Sequence, residues 1–162
     1  MRVLIVKTSS MGDLIHTLPA VTDAQKAIPD IQFDWVSEEG FAEIPNWHPA
    51  VDKVIPIAIR RWRKNIFQAI SAGDIFSAIK QIRSREYDLI IDAQGLVKSA
   101  LVARFAKGFR CGMDRRSCRE PLASLIYQKQ ISVSRELHAI ERVRMLFAEV
   151  LGYRYAKDRL EY

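Results

Sequence analysis

The chain begins with Met1-Arg2-Val3-Leu4-Ile5-Val6-Lys7-Thr8-Ser9-Ser10-Met11-Gly12-Asp13. The four residues before the lysine are apolar and mostly β-branched, which is typical of a buried strand. A polar run with a single glycine follows, and apolar side chains then recur at helical spacing from Leu14 to Ala24. We expect Ser10 or Gly12 to cap this helix. The stretch therefore predicts a strand, a tight loop and a helix.

Strands and helices alternate along the rest of the chain. The predicted strands cover residues 31–36, 54–57, 88–92 and 109–112, and the predicted helices cover residues 41–44, 75–82, 96–105, 122–127 and 138–151. We expect Pro19 to bend or split the first helix, and Pro56 indicates an edge strand because it cannot donate to a ladder. The alternation predicts an α/β fold, a Rossmann-like parallel sheet with helices on both faces.

The length and composition fit one cytoplasmic domain. We assign residues 1–152 to it, and the polar residues 153–162 to a tail or the start of an inter-domain linker. No run approaches the roughly 18 apolar residues that cross a bilayer, and the first apolar run is too short for a signal peptide. Cys111 and Cys118 lack the paired spacing of a zinc site, so we expect free thiols.

Charge is distributed unevenly along the chain. Residues 1–59 carry 4 basic and 8 acidic side chains (4 − 8 = −4), whereas residues 60–162 carry 21 and 11 (21 − 11 = +10). The densest basic run is Arg60-Arg61-Trp62-Arg63-Lys64. It suits a phosphate clamp, because guanidinium groups pair with phosphate oxygens in a bidentate way, but an exposed basic helix start explains it equally well. With the apolar residues that follow, it also fits a membrane interface, whereas no nucleic-acid-binding signature accompanies it.

The loop from Lys7 to Asp13 is the default place for chemistry, because parallel sheets bind ligands beyond the carboxyl ends of their strands. Its ammonium and hydroxyl groups and the N–H groups of the helix start can hold an anion. From spacing alone, compensation of the helix dipole explains Asp13 better than catalysis does. Lys98 follows another strand and could face the same cleft, although a surface lysine is the simpler alternative. Dinucleotide, P-loop and metal-site spacings are absent, so we expect neither a metal nor a cofactor.

Several motifs carry a resemblance to a known family. They are Met1–Asp13, His16–Ala20, Phe33–Val36, Glu38–Phe41, Ile59–Lys64, Ile91–Ser99, Arg119–Ser124, His138–Ala139 and Glu141–Arg142. Together they resemble the heptosyltransferase I family of lipopolysaccharide glycosyltransferases, and the basic run is the most specific of them.

The resemblance implies a GT-B fold, in which two Rossmann-like domains face each other across a cleft. In this family the N-terminal domain binds a Kdo-bearing lipid A acceptor at the inner membrane, and the C-terminal domain binds the donor ADP-heptose. The chain maps onto the N-terminal half, so we expect the donor domain to be absent and the chain alone to be inactive. The implied location is the cytoplasmic face of the inner membrane, in peripheral contact with it.

The resemblance also implies roles for individual residues. Asp13 would be the general base that deprotonates the acceptor hydroxyl as it attacks the anomeric carbon, with inversion and without a metal. The implied acceptor-binding residues are Lys7, Ser10, Gly12, Arg60, Arg61, Arg63, Lys64, Lys98, Arg119 and Arg142. A docking module for anionic membranes or nucleic acid and a heptosyltransferase II-like domain stay open as alternatives.

Overall fold

A six-stranded parallel sheet forms the centre of the molecule in the computed structural model, which describes residues 1–155 and 160–162. The strands are β1 (Arg2–Val6), β2 (Gln32–Glu38), β3 (Val51–Ile57), β4 (Glu86–Asp92), β5 (Lys107–Met113) and β6 (Lys129–Ile131). Their order across the sheet is β3-β2-β1-β4-β5-β6, and every neighbouring pair is parallel. The predicted Rossmann-like α/β fold is confirmed.

The connections between the strands contain α-helices and shorter 3₁₀ turns. The helices are α1 (Met11–Ile15), α2 (Leu18–Ala27), α3 (Ile59–Lys64), α4 (Ile66–Ser71), α5 (Asp74–Ile82), α6 (Val97–Phe105) and α7 (Ala139–Leu151), and the 3₁₀ turns are Glu39–Phe41, Ile44–Trp47 and Pro121–Ile126. None of the helices in the described part of the chain has the length and apolarity to span a membrane.

Two of the predicted helices are wrong in type. The stretch predicted as a helix over residues 41–44 lies between two 3₁₀ turns, because Pro45 has no N–H for an α-helical ladder. The stretch predicted over residues 122–127 is also a 3₁₀ turn, in which Ser124 Oγ donates to the carbonyl of Pro121 at 2.8 Å and competes with the backbone.

Both of the structural roles predicted for prolines are confirmed. Pro19 lies in the first turn of α2, where its missing N–H has no helical partner to lose, and α1 has already ended at Ile15. Pro56 lies on β3, which is an edge strand. Ser10 is the residue that caps α1.

Alternating side chains of β1 supply two hydrophobic cores. Val3 and Ile5 pack in a core with residues of α2 and α7, whereas Leu4 and Val6 pack in a second core with residues of α5 and α6. All four side chains are fully buried. Each contributes about 1.5–3 kcal/mol relative to an exposed position, so helices on both faces are needed to stabilise the sheet.

The strand order reverses between β1 and β4, which is where open parallel sheets bind ligands. Val6 pairs with Asp92, so the loops after β1 and β4 leave the sheet side by side. Gln94 Oε1 accepts hydrogen bonds from Thr8 N at 2.7 Å and from Thr8 Oγ1 at 2.8 Å. These bonds join the two loops and hold the one that carries Asp13.

The segment predicted to be a tail or linker, residues 153–162, contacts the domain where the structure describes it; residues 156–159 lie outside the described residues. Tyr153 packs against the core that includes α2 and α7. The ring centroid of Tyr155 lies 4.6 Å from Arg144 Cζ. Tyr153 and Tyr155 therefore continue the packing of the chain against the domain after α7 ends.

Candidate active site

Asp13 lies in the first turn of α1, with hydrogen-bond donors or cations around both of its carboxylate oxygens. Oδ2 accepts hydrogen bonds from Ser10 N at 2.9 Å and Ser10 Oγ at 3.2 Å. Oδ1 lies 3.0 Å from Arg119 Nη2 and 3.7 Å from Lys7 Nζ. Partial burial raises the pKa of Asp13, but the Ser10 hydrogen bonds and the two positive charges hold it below its usual range. Asp13 is therefore ionised at neutral pH.

Lys7 is a buried cation beside this carboxylate. It follows the last residue of β1 and is only 4% exposed. Its Nζ donates to the carbonyl of Ala93 at 3.0 Å, so it also links the loops after β1 and β4. Burial is the main reason that the pKa of Lys7 falls to about 8, and the charge of Asp13 opposes that fall. Lys7 is mainly protonated at neutral pH.

Arg119 reaches Asp13 from the loop that follows β5. This loop packs on the turn after β4, where Gly95 has a φ of +68° and its carbonyl accepts from Glu120 N at 3.0 Å. A side chain at Gly95 would be strained by the left-handed backbone conformation, whereas its Cβ would make only ordinary contacts with Cys118 and Arg119. The glycine therefore permits the turn on which the loop with Arg119 packs.

Arg142 contributes a third cation from α7. Its Nη2 donates to the carbonyl of Ser117 at 2.6 Å and lies 3.3 Å from Met113 Sδ. Its buried Nε has no hydrogen-bond partner among the described residues. Burial and the charges of Arg135 and Arg119 lower the pKa of Arg142. Buried guanidinium N–H groups normally have a hydrogen-bond partner, so this one is an unmet donor at the site.

These groups line one pocket at the carboxyl edge of the sheet. Its lining is Lys7, Asp13, Ala93, Gln94, Met113, Ser117, Arg119, Ala139, Arg142 and Val143. Three cations and one carboxylate give the lining a net charge of 3 − 1 = +2 when all are ionised. The pocket therefore suits an anionic ligand that presents a proton to Asp13. No cluster of metal-ligating side chains occurs among the residues that the structure describes.

Asp92 holds the loop after β4 beneath the pocket, a role that the sequence pattern did not predict. Its Oδ2 accepts from Tyr127 OH at 2.6 Å and Ser99 Oγ at 2.8 Å, and its Oδ1 accepts from Gln94 N at 2.9 Å and Gly95 N at 3.1 Å. The side chain is completely buried, and burial raises the pKa of Asp92. The sequence feature that could have indicated this role is a carboxylate at the end of a buried strand, directly before a turn with a glycine.

The basic run forms α3, beyond the carboxyl end of β3, and lies outside the Asp13 pocket. Arg61 Nε lies 3.1 Å from Glu39 Oε1, and Arg61 Nη1 lies 2.8 Å from Asp74 Oδ2. The Cζ of Arg60 lies 5.2 Å from the ring centroid of Phe41. The guanidinium of Arg61 is thus held by two carboxylates, while Arg60 lies over an aromatic ring.

The structure groups the predicted site residues into two sets. Lys7, Ser10, Asp13, Arg119 and Arg142 come together around the carboxylate, with Gly12 beside it in α1. Arg60, Arg61, Arg63 and Lys64 lie on α3, and Lys98 lies half-buried in the first turn of α6, outside the lining of the Asp13 pocket. Sequence reasoning did not identify Gln94 and Ser117 as parts of that lining.

Two histidines connect α1 with the start of α7. His16 follows α1, His138 is the N-cap of α7, and their ring centroids lie 5.5 Å apart in an edge arrangement. His138 Nδ1 also accepts from Ile140 N at 3.3 Å. The contact places the first turn of α7, which carries Arg142, next to the helix that carries Asp13.

Comparison with known proteins identifies relatives of this chain. The family model for glycosyltransferase family 9 (heptosyltransferase) matches residues 75–162. Two curated relatives are named lipopolysaccharide heptosyltransferase 1. The relative from Salmonella typhimurium is 58% identical, and the match covers 100% of this chain and 51% of the relative. The relative from Pseudomonas aeruginosa is 59% identical, and the match covers 94% of this chain and 43% of the relative. The chain thus spans about half the length of the curated relatives it matches.

Solved structures agree with this assignment. The Escherichia coli heptosyltransferase WaaC with ADP-2-deoxy-2-fluoro heptose has a TM-score of 0.96 and 56% identity, over 99% of this chain and 51% of that one. The Escherichia coli ADP-heptose lps heptosyltransferase II shares the fold, with a TM-score of 0.69 and 20% identity. That match covers 91% of this chain and 40% of the other. The predicted resemblance to heptosyltransferase I is confirmed. The chain belongs to glycosyltransferase family 9, the heptosyltransferase family.

Proposed function

We propose that this chain is the acceptor-binding part of an inverting glycosyltransferase that transfers L-glycero-D-manno-heptose from ADP-heptose to Kdo-lipid A. One observation carries the proposal: an ionised Asp13 lies in a pocket lined by three cations. Relatives named lipopolysaccharide heptosyltransferase 1, and a similar structure that holds a fluorinated ADP-heptose, support the sugar and the pathway. The identity to heptosyltransferase II is only 20%, so a heptosyltransferase II-like function has less support than a heptosyltransferase I-like one.

Asp13 acts as the general base in this reaction. One carboxylate oxygen of Asp13 takes the proton of the acceptor hydroxyl. At the same time the hydroxyl oxygen of the acceptor attacks the anomeric carbon, and ADP leaves from the opposite side. A carboxylate with a lowered pKa is a weak base, so it accepts the proton late, when the attacking hydroxyl has become acidic. Lys7 and Arg119 keep Asp13 ionised until that point.

The cations of the pocket hold the acceptor. Carboxylate and phosphate groups on the acceptor pair with Arg119 and Arg142, whose guanidinium has one N–H without a partner among the described residues. We propose a second contact region for the acceptor on α3 and at Lys98, which lies outside the Asp13 pocket. A bulky anionic glycolipid can contact both regions, and it would keep the protein in peripheral contact with the cytoplasmic face of the membrane.

We further propose that residues 1–152 form the acceptor-binding domain. Residues 153–162 would lead from it towards a donor-binding domain for ADP-heptose. The doubled length of the curated relatives and the position of the Asp13 pocket at an open edge of the sheet support this division. The donor would then approach Asp13 from above the carboxyl ends of the strands.

Calorimetric titration with a deacylated, Kdo-bearing lipid A acceptor tests the binding role. Exchange of both Arg119 and Arg142 for Gln removes two pocket charges and should weaken binding at least about tenfold. The matched control exchanges Arg104 and Lys107 for Gln, which removes the same charge from exposed positions on α6 and β5. Equal weakening by both variants, or equally tight binding of a polyphosphate without Kdo, would instead support a docking module that responds to charge alone.

Turnover in a chimera tests the role of Asp13. Residues 1–155 can replace the matching half of the Escherichia coli heptosyltransferase, because the two share 56% identity and superpose with a TM-score of 0.96. Asp13→Asn should lower kcat by about 10²–10⁴ while acceptor affinity changes little, because Asn still accepts from Ser10. Asp30→Asn, at an exposed loop carboxylate, is the control. Undiminished turnover of Asp13→Asn would exclude Asp13 as the base.

A further inference from the structure

Two consecutive helices expose large apolar side chains to solvent. Phe67 is 84% exposed, Phe76 is 73% exposed, Ile70 is 61% exposed and Ile66 is 46% exposed. We define these four residues of α4 and α5 as the α4–α5 apolar patch. The two helices pack against each other, and none of the four residues lines the Asp13 pocket. The patch is therefore separate from the chemistry proposed above.

Packing within the domain does not explain the patch. The single buried residue of α4 is Ala69, and the helix is started by Asn65, whose Oδ1 accepts from Gln68 N at 3.1 Å. A short helix that buries an alanine and exposes two isoleucines and a phenylalanine gains little by folding onto this chain. Four large exposed apolar side chains on two helices that pack together mark a surface that another body covers.

The charge around the patch restricts what that body is. Residues 60–83, which include the patch, carry six Lys or Arg and one Asp, and Glu39 pairs with Arg61, so the local net charge is 6 − 2 = +4. Phe76 and Lys80 are four residues apart on one face of α5, and Arg83 is the C-cap that directly follows this helix. The covering body therefore has to be anionic as well as apolar.

We propose that the α4–α5 apolar patch inserts into an anionic phospholipid bilayer. The proposal extends the proposed function, in which the acceptor is a lipid of the membrane. Apolar side chains flanked by cations are typical of interfacial membrane binding, because the former enter the acyl boundary while the latter pair with anionic headgroups. The bases of a single-stranded nucleic acid would stack on the phenylalanines but would leave Ile66 and Ile70 in water. A second copy of the chain would place two surfaces of charge +4 against each other.

Co-sedimentation of the chain with lipid vesicles tests the proposal. The patch variant exchanges Phe67 and Ile70 for Ser, and the matched control exchanges Leu122 and Leu125 for Ser, which are 67% and 75% exposed on a different short helix. We expect the wild-type chain to bind vesicles in which phosphatidylglycerol replaces part of the phosphatidylcholine. The patch variant should bind them at least about tenfold more weakly, and the control should bind them normally.

A second measurement reports insertion without depending on the stability of the patch variant. Cys111 and Cys118 are buried, so a cysteine introduced as Phe67→Cys takes an environment-sensitive fluorophore selectively. Its emission should shift to the blue with anionic vesicles and be quenched by spin-labelled lipids. The same fluorophore at Leu125→Cys should change little.

Several results would overturn the proposal. They are absence of vesicle binding by the wild-type chain, equal binding by wild type and patch variant, and an unshifted fluorophore at position 67. A dimer in light scattering that the patch variant dissolves would assign the patch to a second copy instead. The deacylated acceptor is soluble, so its titration is independent of a bilayer. If the wild-type chain fails to bind vesicles but still binds the acceptor, membrane insertion alone is refuted and the proposed function is not.

Discussion

Arg119→Gln should increase the proton affinity of Asp13. The guanidinium lies 3.0 Å from Asp13 Oδ1, and the side chains of Arg119 and Asp13 are 50% and 15% exposed. Because the arginine is half in water, the solvent limit of Coulomb's law applies, and it gives about 1.4 kcal/mol at this separation. That energy corresponds to about a tenfold change in a proton-binding constant, so the pKa of Asp13 should rise towards its usual value.

Carbon-13 NMR of the aspartate carboxyl groups measures this change in the chain itself. Asp13→Asn identifies the resonance, and a pH titration then compares the wild type with Arg119→Gln. Arg119→Lys keeps the positive charge and should lie between them. Arg104→Gln, at an exposed position in the last turn of α6, should leave the titration unchanged. If Arg119→Gln titrates like the wild type, Arg119 does not control the ionisation of Asp13.

The same variant should change the acid dependence of stability in a definite direction. The folded pKa of Asp13 lies below its unfolded value, so its ionisation stabilises the fold above the usual Asp range. That contribution is lost as the pH falls through the folded pKa. The free energy of unfolding in urea should therefore differ most between wild type and Arg119→Gln at neutral pH and should converge in strong acid. A difference that is equally large in acid would point to lost packing instead.

Three further predictions concern other parts of the domain. The pKa of Lys7 falls from its ordinary value of 10.5 to about 8, so the unfolded chain binds more protons between these values and wild-type stability rises with pH there. Lys7→Met should remove up to about 3 kcal/mol of that rise in urea unfolding, and an unchanged rise would contradict the burial of the ammonium group. Gly112→Ala would press a methyl group into the ring of Tyr127 and should cost about 1–3 kcal/mol of stability in urea, whereas a neutral effect would contradict this packing. Cys111 and Cys118 are buried, and burial raises the pKa of each thiol to about 11, so Ellman's reagent should modify them only in denaturant and rapid labelling of the native chain would contradict it.

Local patterns in the sequence were sufficient to predict most elements of the fold. The β-branched run from Val3 to Val6 and the helical spacing after it correspond to β1, α1 and α2. Pro56 identified an edge strand because its missing N–H cannot take part in a central ladder. The 3₁₀ turns and the three-residue β6 could not be predicted, since such short segments have no full hydrophobic period.

The candidate site was only partly visible in the sequence. Lys7 and Asp13 follow the first strand, so topology alone marked them as candidates. Arg119 was found through the family resemblance, because it is 106 residues from Asp13 along the chain. The pairing of Arg61 with Glu39 and Asp74 was not foreseen, since a dense basic run gives no information on distant carboxylates.

The alternation of strands and helices, the dense basic run at residues 60–64 and the family could all be recognised from the amino-acid order. Each of these depends on neighbours within a few residues or on a recognisable motif. The tertiary structure alone decided that Arg119 and Arg142 surround Asp13, and that the basic run lies apart from it. Hydrophobic periodicity records which face of an element is buried, but not which element packs beside it. The order of the strands and the packing of the loops after β1, β4 and β5 make that choice.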